Sequence, residues 1–217
     1  MNKRQKNSAC NPVIHRVDPV HPDASMIREA ARILQAGGII IFPTRTLYGL
    51  GADANNPAAI RRLLQTKRRD PEKPVSILIK SKKALASIVE NIPPAAVPLM
   101  DRFWPGRITL IFQVIADAFP MLTAGTGKIG IRIPEHPVAV SLVSALIHPI
   151  TATSANYSGS PGVSRIKDLP KEFLNQIDLI LDAGPLNGGI GSTVVDVTTD
   201  PPTLLREGAT KKKELFP

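Results

Sequence analysis

Apolar positions along this chain change their period repeatedly. Ile27, Ala30, Ala31 and Leu34 recur at helical spacing, with Asp23 or Ser25 placed to cap the first turn and Gly37-Gly38 placed to stop it. A continuous run, Ile39-Ile40-Ile41-Phe42, then predicts a buried strand ended by Pro43. Asn56 caps and Pro57 opens the next helix, whose Ile60, Leu63 and Leu64 face inward. The alternation continues with a strand over Val75 to Ile79, a helix over Lys82 to Val89, another over Pro94 to Phe103, and a strand over Ile108 to Val114. From Ile129 to Ile133 the isoleucines take one face while Gly130 and Arg132 take the other. An arginine on an otherwise apolar strand faces water or a bound anion. His136 to Ile147 reads as a helix, and Ile150 to Thr153 and Leu179 to Leu181 as strands. Val194 to Val197 and Thr203 to Leu205 close the sheet through an Asp200-Pro201-Pro202 turn.

Helices and strands alternate early and strands crowd together late. That order predicts an α/β domain with a twisted mixed parallel/antiparallel sheet and flanking helices. A chain of 217 residues is long enough for one such domain with a core of its own. No internal repeat or low-complexity linker marks a second. Residues 1–22, with three prolines and no helical period, read as a flexible N-terminal arm, 23–210 as the domain, and 211–217 as a short basic tail.

Composition narrows the class. A hydrophobic share of 43% belongs to a folded protein. No apolar run approaches the roughly 18 residues a membrane span requires. Lys3, Arg4 and Lys6 have no apolar stretch behind them, as a secretory signal would. The single cysteine, Cys10, allows no intrachain disulfide and points to a reducing cytoplasm. His15, His21, His136 and His148 lack metal-ligand spacing. The net charge of +9 favours anionic partners, nucleotide or RNA, while an aromatic share of 4% disfavours base stacking as the main contact.

Two motifs imitate nucleotide sites and fail. Gly49-Leu50-Gly51-Ala52-Asp53-Ala54 is separated from its strand by Thr44 to Tyr48, and the next helix opens only near Pro57. Gly125-Thr126-Gly127-Lys128 is followed by Ile129 where a phosphate-binding loop needs Ser or Thr. Other segments carry more. Pro43 to Gly51 sets hydroxyls, a tyrosine and two glycines just past a buried strand, which suits the crevice where α/β sheets bind ligands. Lys67, Arg69 and Lys73 end the second helix. Cations there complement the helix dipole, or they converge on a phosphate chain. Ser154-Ala155-Asn156 leaves a short strand with hydroxyl and amide groups that either bond a ligand or build a turn. Gly188 to Thr193 is a second Gly-rich turn with hydroxyls, and Arg206 follows the last strand. No Ser-His-Asp or Cys-His constellation is apparent, which favours positioning and electrostatic stabilisation over a covalent nucleophile.

Taken together, Pro43 to Gly51, Lys67 to Pro74, Trp104-Pro105-Gly106, Thr123-Ala124-Gly125, Ile131 to Pro134, Ser154-Ala155-Asn156, Ser192-Thr193 and Leu204-Leu205-Arg206 resemble the YrdC-like family of threonylcarbamoyl-AMP synthases. They run in the family's order over roughly residues 25–208, and the K-x-R cassette coupled to S-x-N is the most specific part. The resemblance implies a basic concave cavity. It also implies formation of L-threonylcarbamoyl-AMP and pyrophosphate from L-threonine, bicarbonate (or CO2) and ATP. That adenylate serves threonylcarbamoylation of adenosine 37 in tRNAs reading A-starting codons, with a separate tRNA threonylcarbamoyl-transferase complex as partner and tRNA itself as a possible one. Mg2+ would accompany ATP, with no metal assigned to protein side chains and no membrane involved.

By position, the resemblance implies that Thr46 and Arg132 hold threonine, with Ser192 and Thr193 nearby. Lys67, Arg69, Lys73, Thr123, Ser154, Asn156, Ser164 and Arg206 would bind ATP or the adenylate, Lys67 and Arg69 acting in catalysis. Two positions depart from the family. Arg45 stands where it usually has Glu or Asp, and Leu78 where histidine often stands near the amino-acid pocket. The end of the chain soon after Arg206 fits the family's short form. On charge alone, an RNA-binding or ribosome-associated module without synthase activity is the alternative.

Overall fold

The computed structural model describes residues 12–216. Its first element is a strand, β1 (Val13–Arg16), inside the segment expected to be a flexible arm. β1 pairs in parallel with a later strand, so within the described residues that expectation fails at 13–16; residues 1–11 lie outside them. α1 (Ala24–Gln35) begins at Asp23, whose carboxylate accepts from the Ser25 and Met26 amides, and it buries the predicted Ile27, Ala30, Ala31 and Leu34. β2 (Ile40–Pro43) is buried throughout. Next comes a strand within the segment Pro43 to Gly51, for which the sequence pattern predicts none, β3 (Tyr48–Gly51). Its two glycines conceal it, because they carry no β-forming side chain. They are needed there: a Cβ on either would stand 3.0 Å from the ring of Phe42.

α2 (Pro57–Lys67) is capped by Asn56 as predicted. β4 (Ile77–Leu78) is only the centre of the predicted strand, and Lys82–Ser87 is a 3-10 turn rather than an α-helix. α3 (Ala96–Phe103), β5 (Ile108–Gln113), α4 (Pro120–Thr123), β6 (Lys128–Arg132) and α5 (Pro137–Ser144) follow. The predicted strand at 150–153 divides into β7 (Ile150–Thr151) and β8 (Thr153–Ser154). The chain ends through α6 (Lys171–Leu174), β9 (Leu179–Asp182), β10 (Thr193–Asp196), β11 (Thr203–Arg206) and α7 (Lys212–Leu215). Leu215 is buried in the main core, so the expected basic tail is docked.

The strands form two mixed sheets where one was expected. The first has the order β1-β9-β2-β3-β8 and the second β11-β10-β5-β6-β4-β7. The split falls at Ala152. On one side of it β7 pairs antiparallel with β4; on the other, β8 pairs antiparallel with β3. A second stitch lies close by, where Thr151 and Ala52 exchange bonds: Thr151 N–H donates to Ala52 O (2.9 Å), and Ala52 N–H donates to Thr151 Oγ1 (3.0 Å). Ile39, Ile41 and Leu50 of the first sheet share one core with Ile77, Leu110, Ile129 and Ile131 of the second. Ile40 and Phe42 face the other way, against α1 and α5. β2 therefore buries both its faces, which is why it reads as an uninterrupted apolar run.

Candidate functional site

Loops at the ends of β2 and β6 and before β5 and β10 line an open cleft. Thr46, Arg132 and Ser192 all line it, and so do Arg45, Arg107, Glu135 and His136. The period-2 alternation of β6 explains its floor. Ile129 and Ile131 enter the core, whereas Gly130 and Arg132 belong to the face on which Ser76 and Thr109 press against Gly130. Thr109 continues that floor by bonding the Ser192 hydroxyl at 2.8 Å.

Arg132 is the cleft's distinctive group. Its Nε is buried without a hydrogen-bond partner, a costly arrangement for a cationic donor. Burial pushes its pKa down to about 10, with the nearby Glu135 carboxylate acting in the opposite direction. Such a guanidinium is prepared for a carboxylate or another planar anion. Thr46 stands in a tight turn in which the Thr44 amide and hydroxyl both donate to Leu47 O, at 3.3 and 2.6 Å. The Gly188 amide ties Thr46 O to the Gly-rich loop before β10 (2.9 Å). Tyr48 fixes the start of that loop. Its buried hydroxyl lies 2.7 Å from Gly184 O and 2.9 Å from Asp182 Oδ1, and accepts from the Ala183 amide. Burial and the Asp182 carboxylate raise the Tyr48 pKa, so the hydroxyl keeps its proton. Burial also lowers the pKa of His136, against the pull of Glu135. The His136 Nδ1 is placed to accept from the Val138 amide at the start of α5.

The anion cassette and the polar turn meet directly. Lys67, almost wholly buried, donates through its ammonium to Ser154 O, to Asn156 O (2.9 Å) and to Asn156 Oδ1 (3.4 Å). The Ser154 hydroxyl bonds Asn156 Oδ1, and Asn156 Nδ2 donates to Tyr157 O and Ser160 O, both at 2.7 Å. Lys67 and Asn156 are thus committed to the loop's framework, and neither offers a free end as a simple phosphate ligand would. Desolvation, with a smaller push from Arg69, lowers the Lys67 pKa to about 7. Arg68 ends α2 in the left-handed region at φ 50° and lies 4.2 Å over the Tyr157 ring, while the Ser158 amide donates to Lys67 O. These contacts fix the turn that carries Arg69. Arg69 bonds the Lys73 and Pro74 carbonyls at 3.2 and 2.7 Å, and Lys73 is exposed.

Three further expectations are altered. Thr193 is fully buried: its Oγ1 donates to Thr210 O and accepts from the Gly208 and Thr210 amides, so it pins β10 to the chain after β11 and does not face the cleft. Arg206 bonds Ser192 O at 2.8 Å and reaches Ser192 Oγ at 3.4 Å, which places it on the Ser192 wall. Leu78 is buried beside Arg132 in the β4–β6 ladder, packed in the cluster of Phe42 and Leu142 and away from the cleft surface. Thr123 closes α4, its hydroxyl turned back to Pro120 O, next to the Leu122 carbonyl that receives the Val75 amide. Ser164 lies opposite Gly188, its carbonyl accepting from Leu186. Sequence reading gave no role to Arg107, Glu135 or His136. Their signal was present in segments whose neighbours were matched, Trp104-Pro105-Gly106 and Ile131 to Pro134.

A sequence profile of Sua5/YciO/YrdC proteins, described as telomere recombination, matches residues 32–208. A Bacillus subtilis protein named threonylcarbamoyl-AMP synthase is 36% identical over 199 residues, covering 91% of this chain and 58% of that protein. A Mycobacterium tuberculosis protein named putative threonylcarbamoyl-AMP synthase is 34% identical over 182 residues, covering 84% of this chain and 83% of its own length. The crystal structure of Pyrococcus abyssi Sua5 complexed with L-threonine superposes with a TM-score of 0.89 at 35% identity, over 94% of this chain and 59% of that one. The chain thus spans under two thirds of the Bacillus and Pyrococcus relatives.

Proposed function

Because the chain belongs to the Sua5/YciO/YrdC family, we propose that it forms L-threonylcarbamoyl-AMP and pyrophosphate from L-threonine, bicarbonate or CO2 and ATP. The observation that carries this reading is Arg132, a half-buried arginine whose Nε is buried without a partner, set in one cleft with Thr46 and Ser192. It suits the carboxylate of an amino acid, and the relative solved with L-threonine supports the same choice. Lys67 with Ser154 and Asn156 supports a second, anion-binding half, in which a cationic joint underlies the loop and Arg69 follows it.

The chemistry asks little covalent work of the protein. Threonine's amine captures CO2 as a carbamate, losing a proton. A carbamate oxygen attacks the α-phosphorus of ATP, and the bond to the β-phosphate oxygen breaks as pyrophosphate leaves. Arg132 orients the amino acid, and Arg69 and Lys73 neutralise the charge developing on the phosphates. Among the described residues no group of three or more His, Cys, Asp or Glu side chains is arranged to hold a metal ion. Magnesium would accompany the nucleotide's phosphates, where it withdraws charge from them. The adenylate would pass to a transferase complex acting on tRNA. Among the described residues no helix is long and apolar enough to cross a membrane.

The test is pyrophosphate release from ATP, which should require both L-threonine and bicarbonate. Release independent of threonine, or none alongside tight, salt-sensitive tRNA binding, would replace the synthase reading with the RNA-binding one.

A further inference from the structure

Glu135 lies at the exit of β6, three residues beyond Arg132, and both line the cleft. It is the only carboxylate among the residues lining that cleft, where Arg45, Arg107 and Arg132 also stand. A carboxylate lining the same cleft as an arginine with an unpartnered Nε is a natural partner for it. Yet Glu135 is engaged elsewhere: Arg45 Nη1 donates to its Oε1 at 3.1 Å and lies 3.4 Å from its Oε2, across 90 positions of sequence. Arg132 keeps a buried, unpartnered Nε. The charge of Glu135 is still felt at Arg132, where it opposes the effect of burial, so the two groups are within electrostatic reach.

We propose that Arg45 is a positioning residue that ties Glu135 away from Arg132 and so reserves the Arg132 guanidinium for the carboxylate of the amino-acid substrate. The inference rests on the reading that this cleft takes L-threonine. Without Arg45, the Glu135 side chain rotates onto Arg132 and becomes an internal competitor for the substrate. The charge at position 45 is then needed to manage Glu135, and Arg45 itself need not contact threonine. Removing the competitor's charge should therefore remove the need for Arg45.

The experiment compares wild type with Arg45→Ala and with Arg45→Ala/Glu135→Gln. Arg45→Ala should raise KM for L-threonine about tenfold, with KM for ATP and kcat within about twofold. The double variant should return KM for threonine to within about threefold of wild type, a rescue that lost packing alone would not give. An unchanged KM in Arg45→Ala, or a loss that persists in the double variant, overturns the proposal. A crystal structure of ligand-free Arg45→Ala reads the same point without any reaction. The Glu135 carboxylate should lie within hydrogen-bond distance of Arg132, and finding it turned to solvent also overturns the proposal. If wild type shows no threonine-dependent turnover, the synthase reading fails, and the crystal structure still decides the role of Arg45.

Discussion

At the scale of single residues, the site depends on which cations are already spent. Lys67 was legible as part of K-x-R, and Ser154 and Asn156 as part of S-x-N. Their mutual bonds were not legible, because they join positions 87 and 89 residues apart. The same holds for Thr193, a hydroxyl beside a Gly-rich turn whose true partners, Gly208 and Thr210, lie beyond another strand. The lowered pKa of Lys67 has a measurable consequence. Its value of about 7 lies below the ordinary 10.5, so between those limits the unfolded chain binds a proton that the folded chain does not. Stability from this residue therefore rises with pH across that window and is flat below it. A bound phosphate chain favours the charged form and raises the pKa again. Binding of ATP at pH 8 should thus take up protons at Lys67, and less so near pH 6. Calorimetry in buffers of different ionisation enthalpy reads this directly, and no uptake at pH 8 would show that phosphate does not bind near Lys67.

Single elements show where local pattern succeeds and where it fails. α1 and α2 were legible nearly to their caps, since Asn56, and Asp23 or Ser25, precede clear apolar stripes, and the structure gives the first cap to Asp23. β3 was not, because its glycines answer to a ring on the neighbouring strand and not to any local preference. In Gly49→Ala, the new methyl would meet Phe42 Cζ at 3.0 Å and Thr44 Cγ2 at 3.3 Å. Overpacking of this kind costs about 1–3 kcal/mol. Thermal unfolding should show that loss, and Phe42→Leu in the same chain should recover part of it. A Gly49→Ala protein as stable as wild type would mean that the ring moves aside freely. β1 escaped notice for another reason: it is a short edge strand with mostly exposed residues, held by parallel pairing with β9.

Over the whole molecule, mixed strand order and flanking helices followed from the sequence, but the division into two sheets did not. One short predicted strand, Ile150 to Thr153, serves both sheets, and periodicity does not say that pairing changes partner at its middle. That division decides how the site is assembled. Arg132 stands on the second sheet, whereas Ser154 pairs with Gly49 on the first, and Thr151 with Ala52 stitches the two together. Thr151→Val leaves the Ala52 amide without its acceptor in the core and should cost about 1–3 kcal/mol. Because the stitch holds the two sheets in place, and in the cleft Thr46 follows a strand of the first sheet while Arg132 ends one of the second, kcat should fall along with stability. Steady-state kinetics beside thermal unfolding checks this, and a kcat untouched despite lowered stability would uncouple the stitch from turnover. The crossing at Ala152 thus works as a caliper. A joint only a few residues wide sets how far Ser154 on the first sheet stands from Arg132 on the second.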